Sequence, residues 1–321
     1  MLPLESPFQL HCHFTSPQVW KDLDNPKHPL NLAWPEFLDQ DETYKVYSPK
    51  LLEYPELSRY QFAVTRTNSS GRQQLIACAR SIPFFWPELA EVVDSEQDVY
   101  RSHKLLQTLP DGGYDTILSR GYGNISPPLT TSQYMDISAC QSHDPPNAIS
   151  AISVTVHPDY RRMGLAEALI ETMIQTAKEA SLRILVTPLR PTRKADFADV
   201  PMTEYILWQR EAQAGCRCSI SKQPFDPWLR KHVILGAKIV KVAESSMVVR
   251  GSVEDWELWT GIPLTQNSRI MSSRKMHYDS DIGEPFTEIY FPGGLAPLRL
   301  YAGTQEGVYI EPNVWLCHRT V

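Results

Sequence analysis

No stretch of the 321 residues approaches the roughly 20 consecutive apolar positions that a membrane-crossing helix needs. Basic residues are scarce and dispersed. The 31 Lys and Arg are outnumbered by 37 Asp and Glu, giving a formal charge of −6, and no basic block reverses this locally. Such a surface repels a phosphate backbone on average, so nucleic acid is not an expected partner, and neither is a membrane. Cysteine is sparse, with six scattered residues and no CxxC pair. The opening residues lack a basic start followed by an apolar run, so no secretory leader is expected. The cysteines then read as thiols in a reducing cytoplasm. His11-Cys12-His13 and Cys216-Arg217-Cys218 supply metal-ligand types without paired spacing, so no metal is expected. Two nucleotide motifs are also missing. No G-x-G-x-x-G occurs at a strand-to-helix turn and no G-x-x-x-x-G-K-[ST] occurs anywhere, which disfavours Rossmann and P-loop sites.

What is present is an ordinary globular composition, with 42% hydrophobic residues and 26 prolines that imply many loops and short elements. Residues 1–60 form a proline-rich, aromatic lead. Two apolar runs at 61–65 and 75–79, joined by Asn68-Ser69-Ser70-Gly71, read as a hairpin. Pro83-Phe84-Phe85-Trp86-Pro87 reads as an exposed aromatic segment, and 110–145 as mostly loop around one or two short helices. The pattern then sharpens. Residues 148–156 (AISAISVTV) read as a strand, and 182–186 as a second. Between them, Leu165, Leu169, Met173 and Ala177 recur at helical spacing, with Ile170 and Ile174 widening the stripe. This is a βαβ unit, whose two strands are usually parallel. A long excursion over 191–227 follows. Pro227 then opens a helix that stops at Gly236, and a strand follows at 237–242. The tail carries strand signals at 246–250, 308–310 and 314–317 around a polar loop at 264–288.

The turn Arg161-Arg162-Met163-Gly164-Leu165-Ala166 lies between the first strand and the long helix. A helix start presents unpaired N–H groups and the positive end of a dipole, which suits a pyrophosphate. Gly164 leaves the backbone open to close approach, Ala166 keeps the next position small, and the two arginines add positive charge.

With the preceding Ser153-Val154-Thr155-Val156-His157-Pro158, this turn resembles the acyl-CoA-binding motif of the GNAT acyltransferases. The resemblance implies an α/β GNAT fold: a mixed central sheet flanked by helices. It divides the chain into an N-terminal lead (1–60), an acyl-CoA-binding core (61–245) and a C-terminal β-containing extension of the same domain (246–321). It implies acyl-CoA as co-substrate, most commonly acetyl-CoA. Its pyrophosphate would lie on Arg161, Arg162, Gly164, Leu165 and Ala166, and its pantetheine arm along Val154 and Val156.

A narrower resemblance runs through Val186-Thr187-Pro188-Leu189-Arg190-Pro191-Thr192, Phe225-Asp226-Pro227-Trp228-Leu229-Arg230-Lys231-His232, Trp256-Glu257-Leu258-Trp259-Thr260-Gly261 and Tyr309-Ile310-Glu311-Pro312-Asn313-Val314-Trp315. These segments are similar to the GNAT-like loading-module proteins of polyketide synthases and their free-standing relatives. That likeness nominates His232 and Thr192 as catalytic residues and Trp86 as an aromatic gate. His232 also stands four residues before Gly236, where many family members place the tyrosine that protonates the departing thiolate, and an imidazole can either donate or accept near neutrality. His157 reads as structural. One departure matters: no carboxylate occurs from 148 to 156, where many amine-acetylating members hold a base. Residues 212–223 are extra to the narrower pattern and bear on acceptor choice. The resulting expectation is direct acyl transfer to an unidentified small-molecule or carrier-bound acceptor, with His232 as general acid and base. Two alternatives are decarboxylation of malonyl-CoA with transfer to a carrier thiol, and acyl-CoA binding without catalysis.

Overall fold

The computed structural model describes residues 7–92, 99–123, 144–211, 222–264, 276–280 and 282–320. Cys216-Arg217-Cys218, most of the 212–223 insertion and most of the 110–145 segment lie outside these residues. Among those described, no helix is long and apolar enough to cross a membrane.

Twelve strands are described. They are β1 (Phe8–Cys12), β2 (Gln61–Thr67), β3 (Gln73–Phe84), β4 (Ala148–Val156), β5 (Ile184–Leu189), β6 (Gln209–Glu211), β7 (Lys222–Pro224), β8 (Lys238–Ser252), β9 (Met276–Asp279), β10 (Glu284–Ile289), β11 (Leu298–Tyr301) and β12 (Glu306–Arg319). The described helices of α type with at least eight residues are α1 (Gly113–Gly123), α2 (Leu165–Glu179), α3 (Pro227–Ile234) and α4 (Val253–Thr260). Ten strands share one mixed sheet in the order β1-β2-β3-β4-β5-β12-β11-β10-β9, with β8 paired to β12; β6 and β7 form a separate ribbon.

The alternation read at 148–156 is β4, and the helical stripe is α2. Leu165, Leu169, Ile170, Met173 and Ala177 bury against the strands of the hairpin and the βαβ unit. Each large apolar side chain there contributes roughly 1.5–3 kcal/mol by leaving water. Because β4 and β5 are parallel, they need the crossover that α2 supplies. Their ladder is short: only Ile149 with Leu185 and Ser150 with Val186 are in register. Beyond those pairs the strands part, and a gap opens in the middle of the sheet.

Several expectations are corrected. Residues 83–84 are no exposed segment, because β3 runs on through Phe84 and pairs with the start of β4. The strand signals at 237–242 and 246–250 are one strand, β8, so position 245 falls inside an element. Those at 308–310 and 314–317 are likewise one strand, β12, whose first half pairs β11 and whose second half pairs β5. The C-terminal strands therefore extend the central sheet. Within the polar stretch 264–288, β9 and the start of β10 form a hairpin. The proline-rich lead packs on the face opposite α2. Val19, Trp20 and Leu30 bury against Ala63, Leu75 and Cys78, and Trp34 donates from Nε1 to Thr155 Oγ1 on β4 at 3.2 Å.

Candidate active site

Where β4 and β5 separate there is a cavity of about 670 Å³. Ala151 to Thr155 form one wall and Thr187 to Arg190 the other; Trp228 and His232 of α3 enter from one side, and the lead closes the opposite side with Trp34, Glu36 and Asp39.

His232 is positioned by the way α3 starts. Asp226 is buried at the N-cap, with Oδ1 accepting from the amides of Trp228 (2.8 Å) and Leu229 (3.1 Å). Pro227 at the first helical position has no N–H to satisfy. Asp226 Oδ2 also accepts from the Arg193 amide at 2.8 Å and from the Tyr205 hydroxyl at 3.0 Å, which fastens the excursion to the helix. One further turn along, His232 is 3% exposed. Its Nδ1 lies 2.9 Å from Nε2 of His318 on β12, while its own Nε2 is buried with no protein partner.

The two rings set each other's protons. The backbone of Leu235 favours a proton on the other nitrogen of His318. In a neutral ring this leaves Nε2 of His318 as an acceptor, so His232 donates from Nδ1 and keeps a lone pair on Nε2. Burial, then His318, then Lys231 hold His232 well below its ordinary value. Burial likewise brings His318 down to about 4. Lys231 itself pairs with Glu167 on α2. The result is a neutral imidazole in the cavity wall with one ring nitrogen, Nε2, free of any protein partner.

The same burial predicts acid sensitivity. Below the ordinary histidine value of 6.5 the unfolded chain takes up protons that the folded pair refuses, so stability falls as pH drops from 6.5 toward 4. For His318 this amounts to about 3 kcal/mol. Urea unfolding at pH 7 and 4.5 should show wild type losing more stability than His318→Gln; equal losses would contradict the assignment.

The turn at 161–166 lies at the start of α2. Gly164 is its N-cap with φ 77°, Arg162 has φ 66°, and no side chain caps the first amides. Arg161, Arg162, Met163 and Gly164 are all exposed. A Cβ built on Gly164 meets no atom within 4 Å, so the space above the glycine is open. Free amides, the helix dipole and two exposed guanidinium groups make this a place where an anion of pyrophosphate size fits. Val154 lines the cavity on β4, and Val156 is half-buried at the end of the strand toward the turn.

Two other nominees stand elsewhere. Trp86 is fully buried among Leu89, Leu109 and Ile117, and its Nε1 donates to Thr108 Oγ1 at 3.0 Å. It lines no part of the cavity, so it is a core residue and not a gate. The flanking prolines suggested exposure, but the extension of β3 carries the segment inward. Thr192 is exposed, in a surface turn outside the cavity wall; the threonine that faces the cavity from this segment is Thr187, on β5. His157 is structural as expected, with Nδ1 accepting from the Asp159 amide at 3.2 Å.

Other lining groups have no role that the sequence alone assigns. Glu311 is fully buried. Its carboxylate accepts from Arg190 Nε (3.0 and 3.1 Å), the Tyr309 hydroxyl (2.9 Å) and Asn313 Nδ2 (3.1 Å). All its bonds are thus made within the protein, and it stiffens the wall. Arg80, on β3, also faces the cavity.

Residues 132–195 match the model of the acetyltransferase (GNAT) family. Across nearly the whole chain there is a curated relative, "Arginine N-acetyltransferase avaD" of Aspergillus versicolor, 28% identical over 312 residues, 97% of this chain and 93% of the relative. Among solved structures, the loading GNATL domain of CurA from Lyngbya majuscula is 17% identical, with 78% of this chain and 92% of that one covered at a TM-score of 0.42. The GphF GNAT-like decarboxylase in complex with isobutyryl-CoA is 10% identical, with 98% and 99% covered, also at 0.42. At those scores nothing about the site rests on the structural likenesses. Residues 132–195 thus carry a match to the GNAT acetyltransferase family, and nearly the whole chain is similar to an N-acetyltransferase.

Proposed function

We propose that this protein transfers an acetyl group from acetyl-CoA to a primary amine, by direct attack while both substrates are bound. The observation that carries the reading is His232, a buried neutral imidazole that lines the cavity between β4 and β5 and whose Nε2 has no protein partner. The CoA pyrophosphate lies on the free amides of Gly164, Leu165 and Ala166, with Arg161 and Arg162 beside it, and the pantetheine arm follows β4 past Val156 and Val154. Beyond Ser150 the β4 ladder toward β5 stops, so a strand amide is open to polarise the thioester carbonyl.

The amine nitrogen attacks that carbonyl, the C–N bond forms, and Nε2 of His232 takes the proton the nitrogen loses. The C–S bond then breaks, and the same proton passes to the thiolate, releasing CoA and the amide. This removes the need for a carboxylate on β4. The relative's name makes arginine the first acceptor to try. Thiol release is followed with acetyl-CoA and arginine, against malonyl-CoA alone and against a carrier-protein thiol. The reading predicts CoA and N-acetylarginine in equal amounts. CO2 from malonyl-CoA with no amine acetylation would favour carrier loading instead, and background thiol release on every arm would mean binding without catalysis.

A further inference from the structure

The lead and β3 place opposite charges in the cavity without letting them pair. Arg80 lines it from β3; its one described hydrogen bond is from Nη1 to Ser48 Oγ at 2.7 Å. Asp24, Glu36 and Asp39 line it from the lead. Asp39 lies within electrostatic range of both Glu36 and Arg80. Burial first and Glu36 second raise its carboxyl, against the pull of Arg80. Among the described residues, however, no ion pair joins Arg80 to any carboxylate, and none of these three carboxylates accepts a hydrogen bond.

The fourth acid on the wall is unlike them, because Glu311 is neutralised by Arg190. Subtracting that pair leaves three carboxylates against one guanidinium, the balance expected of a pocket for a net cation that also carries one negative group. The carboxylates alone would be a solvated rim. Two further facts point inward: a guanidinium with most of its donors unspent, and His232 in the same cavity, 3% exposed with Nε2 unpartnered. A guanidinium binds a carboxylate through two parallel N–H donors, which fixes the position of whatever the carboxylate is attached to.

We infer that the acceptor is an α-amino acid with a cationic side chain: Arg80 holds its carboxylate, which positions the adjacent amine, and Asp24, Glu36 and Asp39 receive the side-chain cation. This rests on the amine-acetylation reading above, and goes beyond it by requiring both charges of the acceptor. Arg80 is then a specificity-determining residue that touches substrate without taking part in proton transfer.

The test compares arginine, agmatine (the same molecule without its carboxylate) and citrulline (a neutral side chain of the same length). Wild type should show kcat/KM highest for arginine. Arg80→Met should raise KM for arginine at least tenfold and leave agmatine within about twofold, since agmatine never used the guanidinium. Arg80→Lys, which keeps the charge and loses the fork, should fall between, and it serves if the methionine variant does not fold. Glu36→Gln with Asp39→Asn should raise KM for arginine and agmatine together and leave citrulline unchanged. Equal loss for arginine and agmatine in Arg80→Met, or no loss for either, overturns this inference while amine acetylation stands. No acetylation of any amine by wild type overturns both.

Discussion

Replacing His232 with alanine should lower kcat for acetyl transfer about 10²–10⁴-fold, the usual worth of a positioned proton acceptor, while the dissociation constant for acetyl-CoA moves less than about threefold. The asymmetry follows from where the imidazole stands. Its Nδ1 is committed to His318, and only Nε2 is left without a protein partner. Removing it deletes the proton acceptor but none of the amides or arginines at the start of α2. The pH profile gives a second readout. Burial first, then the neighbouring His318 and Lys231, depress the His232 value well below 6.5. The acid limb of kcat/KM in wild type should therefore lie below pH 6.5, and it should be absent from the residual activity of the alanine variant. A variant within threefold of wild-type kcat would remove His232 from the chemistry.

Substituting valine for Gly164 should have the opposite signature. The glycine sits at φ 77°, where an L side chain costs on the order of 1–2 kcal/mol, and a β-branched one strains further. Yet no protein atom lies within 4 Å of where its Cβ would be. The fold therefore meets only the local backbone cost, and Tm should fall by a few degrees at most. Branched methyl groups would occupy the space proposed for the pyrophosphate, so KM for acetyl-CoA should rise at least a hundredfold. With saturating donor, kcat should remain within an order of magnitude, because His232 and the cavity wall are untouched. A fall in stability with unchanged KM would mean that Gly164 serves the turn alone.

The two variants probe parts of the molecule that differed in how readable they were. The β4-α2-β5 unit was legible almost to the residue, because β-branched alternation and a 3.6-residue stripe are local patterns, and Gly164 stands where they meet. Pro227 and Gly236 marked both ends of α3 for the same reason. Trp86 and Thr192 were misplaced because their roles depend on distant strands. β3 continues inward past Pro83 because its partner is β4, more than sixty residues away, and it carries Trp86 into the core. The split of β4 from β5 turns Thr187, not Thr192, toward the cavity.

His318 and Arg80 gave no local signal at all, and Arg190 and Glu311 stood inside signature segments that assigned them no role. The contact that orients His232 spans 86 residues, and the one that neutralises Glu311 spans 121. Segments containing three of these residues' partners were visible as signatures, but pairing across a sheet is set by register. Register here was obscured where separate strand signals merged into the single strands β8 and β12. The acidic lead was legible only as proline-rich sequence. Its placement over β4, fixed by Trp34 and by the packing of Val19, Trp20 and Leu30, is what makes its carboxylates part of the cavity.

The most direct test of the whole account is a crystal structure of the protein with acetyl-CoA bound. The account predicts pyrophosphate oxygens within hydrogen-bond distance of the amides of Gly164, Leu165 and Ala166, and the thioester in the gap between β4 and β5 with its acetyl group facing Nε2 of His232. A pyrophosphate seated away from the start of α2, or a thioester lying outside that gap, would contradict it.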